Sequence, residues 1–171
     1  MPTSATGRAD PAHGFSLIEL LVGLVVLGVL AGAATLAFPR SAERRVEADA
    51  ERVAALIELA CERAEVGGRD VAIALGTDAL RFGPVDGGRW RPIGDDPADA
   101  LRPRRLDVAR LRLRIDGREM PLPPEAPATP QLGCSTDAEL TPFELDVVRA
   151  ELPGWRLRSE GARVLREPLA P

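Results

Sequence analysis

The spacing of hydrophobic and polar positions changes twice along the chain. From Phe15 to Phe38 the residues are almost all apolar, and only Ser16, Glu19 and Thr35 are polar. As a helix rising about 1.5 Å per residue this stretch is roughly 36 Å long, against a bilayer hydrocarbon core of about 30 Å. It can cross a membrane once. Pro39 ends or kinks the apolar helix, and Ser41 can cap a continuation. Val46, Ala50, Val53, Ile57, Ala60 and Ala64 then recur at three- and four-residue steps. Glu43, Arg44, Glu47, Asp49, Glu51, Arg52, Glu58 and Glu62 fall on the other face. This pattern predicts an amphipathic helix lying on a core, with a solvated charged face and an end at Gly67-Gly68.

Beyond Gly68 the period falls to two. Val71–Leu75 alternates, and Asp86-Gly87-Gly88 reads as a hairpin turn between Leu80–Phe82 and Trp90. A loop is expected from Gly94 to Arg104. Leu111–Ile115 alternates again and turns at Asp116-Gly117, and the prolines between Pro121 and Pro130 predict an extended loop. Phe143–Val148 and Trp155–Arg158 complete an antiparallel set. One long helix followed only by short strands is an α+β pattern, and there are no internal repeats.

Composition narrows the function. The chain has 171 residues and a net charge of −4, so nothing global asks for nucleic acid. All 22 basic residues are arginine, and Tyr and Asn are absent, as GC-rich coding would produce. The choice of arginine at any one site therefore says little about guanidinium geometry. Cys61 and Cys134 lie outside any CxxC and there is one histidine, which argues against zinc.

Glu19 is the anomaly in the apolar segment. A carboxylate at the centre of a span costs on the order of 2.5–3.5 kcal/mol on insertion scales. A cleaved secretory signal peptide is one reading, with Ala31-Gly32-Ala33 as a small-residue cleavage site. The apolar run is longer than such signals use, and Glu19 sits inside it. A membrane anchor is the other reading, and an intramembrane carboxylate then needs a partner. Arg8 and Arg40 lie outside the span. Cleavage between Gly14 and Phe15 would create an α-amine one helical turn from Glu19. In a helical assembly, Glu19 of one subunit could pair with the amine of its neighbour and fix their register.

The motif Gly14-Phe15-Ser16-Leu17-Ile18-Glu19, heading an apolar run, resembles that of the type IV pilin and pseudopilin superfamily. The resemblance implies cleavage after Gly14 by a prepilin peptidase at the cytoplasmic face and N-methylation of Phe15. It implies that Glu19 guides subunit docking. His13 stands where the family usually has Lys or Arg, so the leader carries only Arg8 and its N-terminus. Arg40, Arg44, Arg45 and Arg52 follow the span, and by the positive-inside rule would hold that side in the cytoplasm. The motif requires the opposite orientation, because the leader must meet the peptidase.

The stretch from Glu47 to Leu75, with Ser135–Val147 later, is similar to the H-type minor pseudopilins of type II secretion. These share a domain with the FimT/FimU-type minor pilins of type IV pili. The resemblance implies a pilin-like α+β fold: a long N-terminal helix, membrane-spanning in its first half and amphipathic in its second, packed on an antiparallel β-sheet domain. The expected parts are a cleaved leader at 1–14, an assembly helix at 15–38, an amphipathic helix at 39–67 and a periplasmic β-rich domain at 68–171. Implied partners are major and minor pseudopilins of a tip complex, the prepilin peptidase, the inner-membrane assembly platform and secreted proteins. The implied location is a single pass of the bacterial inner membrane, N-terminus cytoplasmic, and then a periplasmic pseudopilus. Two rivals stay open: a type IV pilus minor pilin, with DNA uptake as one role, and an exported domain with a cleaved signal peptide.

The remaining chemistry is thin. The lone histidine lies in the leader, so no histidine-based triad forms, and Ser135 and Cys134 have no activating base. No enzyme activity and no cofactor is expected. Asp95, Asp96 and Asp99 cluster without the Gly and terminal Glu of a calcium loop, so a solvated loop is preferred. Cys61 and Cys134 could pair in an oxidising periplasm or stay as two buried thiols. Arg110, Arg112 and Arg114 line one face of a strand. With Trp90 or Trp155 for stacking they could meet DNA, but a solvated outer face suits the acidic total better.

Overall fold

The computed structural model describes residues 16–107 and 109–169, and at residue 31 and residues 33–41 it describes the backbone alone. Gly14 and Phe15, the expected cleavage and methylation positions, lie outside the described residues. The chain forms two compact units, Met1–Pro39 and Arg40–Pro171.

Helix α1 runs from Leu17 to Gly67. It does not end at Pro39, and Ser41 lies inside it rather than at a new cap. Proline removes one backbone hydrogen bond, and the Ala-, Leu- and Glu-rich residues on both sides favour helix strongly enough to carry the element through. In the first unit the described apolar side chains of the helix are all exposed, from Leu17 at 81% to Leu30 at 60%. Among the described residues no helix is long and apolar enough to cross a membrane. The described side chains from Leu17 to Leu30, apolar apart from Glu19, make only about 21 Å of helix.

In the second unit α1 follows the predicted periodicity. Val46, Ala50, Val53, Ile57, Ala60 and Ala64 are all fully buried. Asp49 departs from its expected place on the solvated face: it is 4% exposed. It accepts a hydrogen bond from the backbone N–H of Ala109 at 3.2 Å. The three-residue step from Val46 puts it on the apolar row, where a backbone donor from the facing loop satisfies it. The helix closes at Gly68, which has φ +59°. The N–H of Gly68 bonds the Glu65 carbonyl at 3.4 Å, and that of Arg69 bonds Ala64 at 3.3 Å. This paired closure needs a left-handed residue, which glycine supplies.

Two antiparallel sheets complete the unit, where the strand pattern suggested one. The first is ordered β3-β2-β1-β7, with β4 also on β2. Its strands are β1 (Val71–Leu75), β2 (Ala79–Asp86), β3 (Arg89–Trp90), β4 (Arg104–Arg105) and β7 (Leu132–Cys134). The second is ordered β10-β9-β8-β5-β6. It comprises β5 (Arg110–Ile115), β6 (Arg118–Met120), β8 (Glu144–Val148), β9 (Trp155–Glu160) and β10 (Arg163–Pro168). The sequence pattern missed β4, β6, β7 and β10, which are short or richly charged and stand at sheet edges, so the expected loop from Gly94 ends in a strand at Arg104. Both expected two-residue turns form, Gly87-Gly88 pairing Asp86 with Arg89, and Asp116-Gly117 pairing Ile115 with Arg118. All four turn residues have positive φ.

Strand β1 is buried on both faces. Val71, Ile73 and Leu75 enter the core shared with the helix, while Ala74 joins Ala79 and Ala126 in a smaller cluster on the other side. The alternation in Val71–Leu75 is therefore large against small. Loops crossing the outer face of the first sheet need that small side. A Cβ on Gly83 would collide with the carbonyl of Arg91 and come within 2.8 Å of the Pro92 Cα. Gly83→Ala is expected to cost about 2–3 kcal/mol, read as a lower denaturation midpoint, because the obstacle is backbone and cannot rotate away.

Candidate functional site

Glu19 stands in the first turn of α1 with its side chain exposed, among exposed Leu17, Ile18, Leu20 and Leu21. The turn is closed by the N–H groups of Glu19 and Leu20, which donate to the Ser16 carbonyl at 3.0 and 3.2 Å. An apolar helical surface carrying one carboxylate and no covering from its own unit is suited to packing against other apolar surface. What its carboxylate needs there is a cation. The candidate cation, the α-amine of a mature Phe15, lies outside the described residues.

In the second unit, Cys61 on the buried face of α1 is joined to Cys134 at the end of β7, with Cα atoms 5.0 Å apart. The link spans 73 residues of sequence and ties the helix to the edge strand of the first sheet. Both residues are 1% exposed.

The acidic loop is used structurally. Asp99 accepts from Arg63 at 2.9 and 3.0 Å and from the Leu101 N–H at 2.8 Å, fastening the loop to α1. Burial pushes the Asp99 carboxyl up, but the Leu101 N–H and Arg63 outweigh it and hold it below the usual carboxylate range. Asp96 caps its own turn by accepting from the Ala98 N–H at 2.9 Å. Among the described residues no group of acidic, His or Cys side chains is set to hold a metal ion.

The arginine stripe is on the outer face of the second sheet, and its three members have different surroundings. Arg110 is 3.6 Å from Asp78. Arg114 reaches Asp146 at 3.3 Å and Glu144 at 3.6 Å. Arg112 is exposed. Asp146, 5% exposed, is the centre of this face. Arg156 grips it through Nε at 2.7 Å and Nη2 at 3.2 Å, a bidentate geometry that raises the guanidinium above its ordinary value. The sequence reading overlooked this ladder, although Glu144 and Asp146 alternate with Leu145 and Val147 in the same period as the arginines. Trp90 packs against the small alanine cluster and Trp155 against the main core, so both indoles are partly buried rather than free platforms.

Residues 11–35 match the prokaryotic N-terminal methylation motif. Type II secretion system protein H of Pseudomonas aeruginosa is 31% identical over 93% of this chain and 97% of its own length. The chain belongs to that protein H family. It is a minor pseudopilin of the type II secretion system. Protein H of Escherichia coli K12 is 28% identical over 81% of this chain and 82% of its own. Solved structures show the same fold. The minor pseudopilin EpsH of Vibrio cholerae superposes with a TM-score of 0.58 at 19% identity, covering 75% of this chain and 98% of EpsH. The solution structure of E. coli GspH gives 0.56 at 25% identity, covering 75% and 89%. For this pseudopilin, then, the long helix and the two-sheet domain are the family's architecture.

Proposed function

We propose that this pseudopilin is made with a leader ending at Gly14, is cut there by a prepilin peptidase and is methylated on Phe15. Residues 15–38 hold it in the inner membrane with the β-domain in the periplasm. It then enters the pseudopilus in or near the tip, where Glu19 pairs with the Phe15 amine of a neighbouring subunit. Its work there is structural: contacts with major and minor pseudopilins, the assembly platform and secreted proteins help move folded proteins across the outer membrane, with no catalysis. The observation that supports this reading is the match of residues 11–35 to the methylation motif, a stretch that includes Gly14, Phe15 and Glu19.

The test is the intact mass of the protein taken from membranes of its own host, with and without the peptidase. Loss of Met1–Gly14 plus one methyl group, only when the peptidase is present, is the expected result. A chain starting near Thr35 regardless of the peptidase would overturn the reading and make the opening segment a discarded signal.

A further inference from the structure

The bond between Cys61 and Cys134 lies where the closed fold leaves a reagent no approach. Both residues are 1% exposed. Cys61 stands between Ile57 and Ala64 on the buried row of α1, and both of those neighbours are fully buried. Cys134 lies opposite Val71 of β1 on one side and bridges to Leu140 on the other, and these too are buried. A cavity of about 380 Å³ touches Cys134 beside Gly133 and Ser135, yet it leaves the residue at that same 1%.

Forming this bond takes two exchanges with an oxidant that is itself a disulfide. The thiolate of one cysteine attacks a sulfur of the oxidant, a new S–S bond forms, and the other oxidant sulfur leaves as a thiolate. The second cysteine's thiolate then attacks the sulfur of the first, the native bond forms, and the remaining oxidant sulfur leaves. The two protons lost by the protein thiols are balanced by two taken up on the leaving thiolates. Two electrons pass to the oxidant, which ends with both sulfurs as thiols. Between the two attacks an oxidant sulfur, with all that it carries, is bonded to a cysteine. The close-packed core has no room for that intermediate at either position, and it disfavours the charged thiolate that each attack needs.

We infer that Cys61 and Cys134 are oxidised before the second unit closes, so that a thiol–disulfide oxidation must precede its folding and its use as a subunit. Order along the chain favours this. The buried cluster that contains both cysteines also contains Leu145, Val147 and Leu157 from β8 and β9, and both strands follow Cys134 in sequence. A chain entering the periplasm in sequence order would present both thiols before the second sheet has the strands to complete that core. A chain that closed first would be held with two buried thiols. The inference rests on the reading of the second unit as periplasmic, where a disulfide oxidant is at hand. Its test uses purified protein. Cysteines that react freely in the folded chain would refute the order without touching that location, and a different location would leave the measured rates as they are.

The experiment takes the full chain in detergent micelles, reduced and returned to native buffer, with folding read by circular dichroism. Glutathione disulfide is added, and free thiols are alkylated and counted over time. Bond formation in native buffer is expected to be at least about a hundredfold slower than in denaturant, because it waits for rare opening of the fold. In the reverse direction, dithiothreitol should reduce the native oxidised chain more slowly than the denatured one by a similar factor, and low concentrations of denaturant should speed that reduction steeply. A reduced chain that does not refold at all supports the same order, since oxidation is then a condition of closure. Native oxidation within a fewfold of the denatured rate would overturn the inference. So would fast reduction of the native bond that low denaturant leaves unchanged, because opening of β7 alone would then admit the reagent.

Discussion

Glu19→Leu is expected to leave the chain anchored and its β-domain folded, while reducing its incorporation into the pseudopilus on the order of a hundredfold. Anchoring should survive because the substitution removes a charge from an apolar run, one that would cost on the order of 2.5–3.5 kcal/mol at the centre of a span and less near its end, where Glu19 stands. Folding of the second unit should survive because Glu19 belongs to the first unit and stands exposed on its helix. Assembly should fail because the neighbour's amine would be left without a counter-charge, and breaking one side of a desolvated pair costs roughly 3–5 kcal/mol. Glu19→Gln separates charge from shape: it keeps the length and an acceptor, and should be nearly as impaired as Leu. The readout is the amount of each variant in sheared pseudopili against the amount in membranes. Normal incorporation of the Leu variant would remove the role assigned to the carboxylate. Loss from the membrane fraction would do the same, because the defect would then precede docking.

What the sequence made legible was whatever depended on local spacing. The row Val46, Ala50, Val53, Ile57, Ala60 and Ala64 reports a helix face directly, because the helical period is short and every member enters the same core. The turns at Gly87-Gly88 and Asp116-Gly117 were legible for a similar reason: left-handed backbone selects Gly and Asp within two residues. The division into two sheets was not legible, since it depends on which strands meet across long loops. β7 finds β1 only after the proline-rich stretch, and β5 pairs with β8 some thirty positions later. Asp49 was misplaced because charge was allowed to outweigh spacing: its step from Val46 already set it on the buried row. For the proposed assembly site, Gly14, Phe15 and Glu19 are neighbours in sequence, so their spacing is legible without any fold.

The covalent link between Cys61 and Cys134 leads to the largest expected stability effect. It closes a loop of 73 residues, and in the chain-entropy account a cross-link of that length stabilises the fold by about 4 kcal/mol. Its position adds to the consequence. Strand β7 is only three residues long, pairs with β1 over Val71–Ile73, and is otherwise held by the bridge from Cys134 to Leu140 and the bonds between Gly133 and Thr141. With the link cut, the edge strand would keep the hydrogen bonds of Gln131 to Leu75 and Ile73 and the burial of Leu132, but would lose its one covalent tie to the helix. Replacing both cysteines with Ala should therefore lower the melting temperature of the chain by more than roughly 10 °C, and reductant should lower that of the native chain by a similar amount. Helix α1 is expected to be less affected, since its buried row also faces both sheets. Alkylation under denaturing conditions decides whether the bond exists in the cell. Protein taken from its own host should take up no label until it is reduced. Two labels without reduction would mean two buried thiols, and the double Ala variant would then show only the smaller loss of packing.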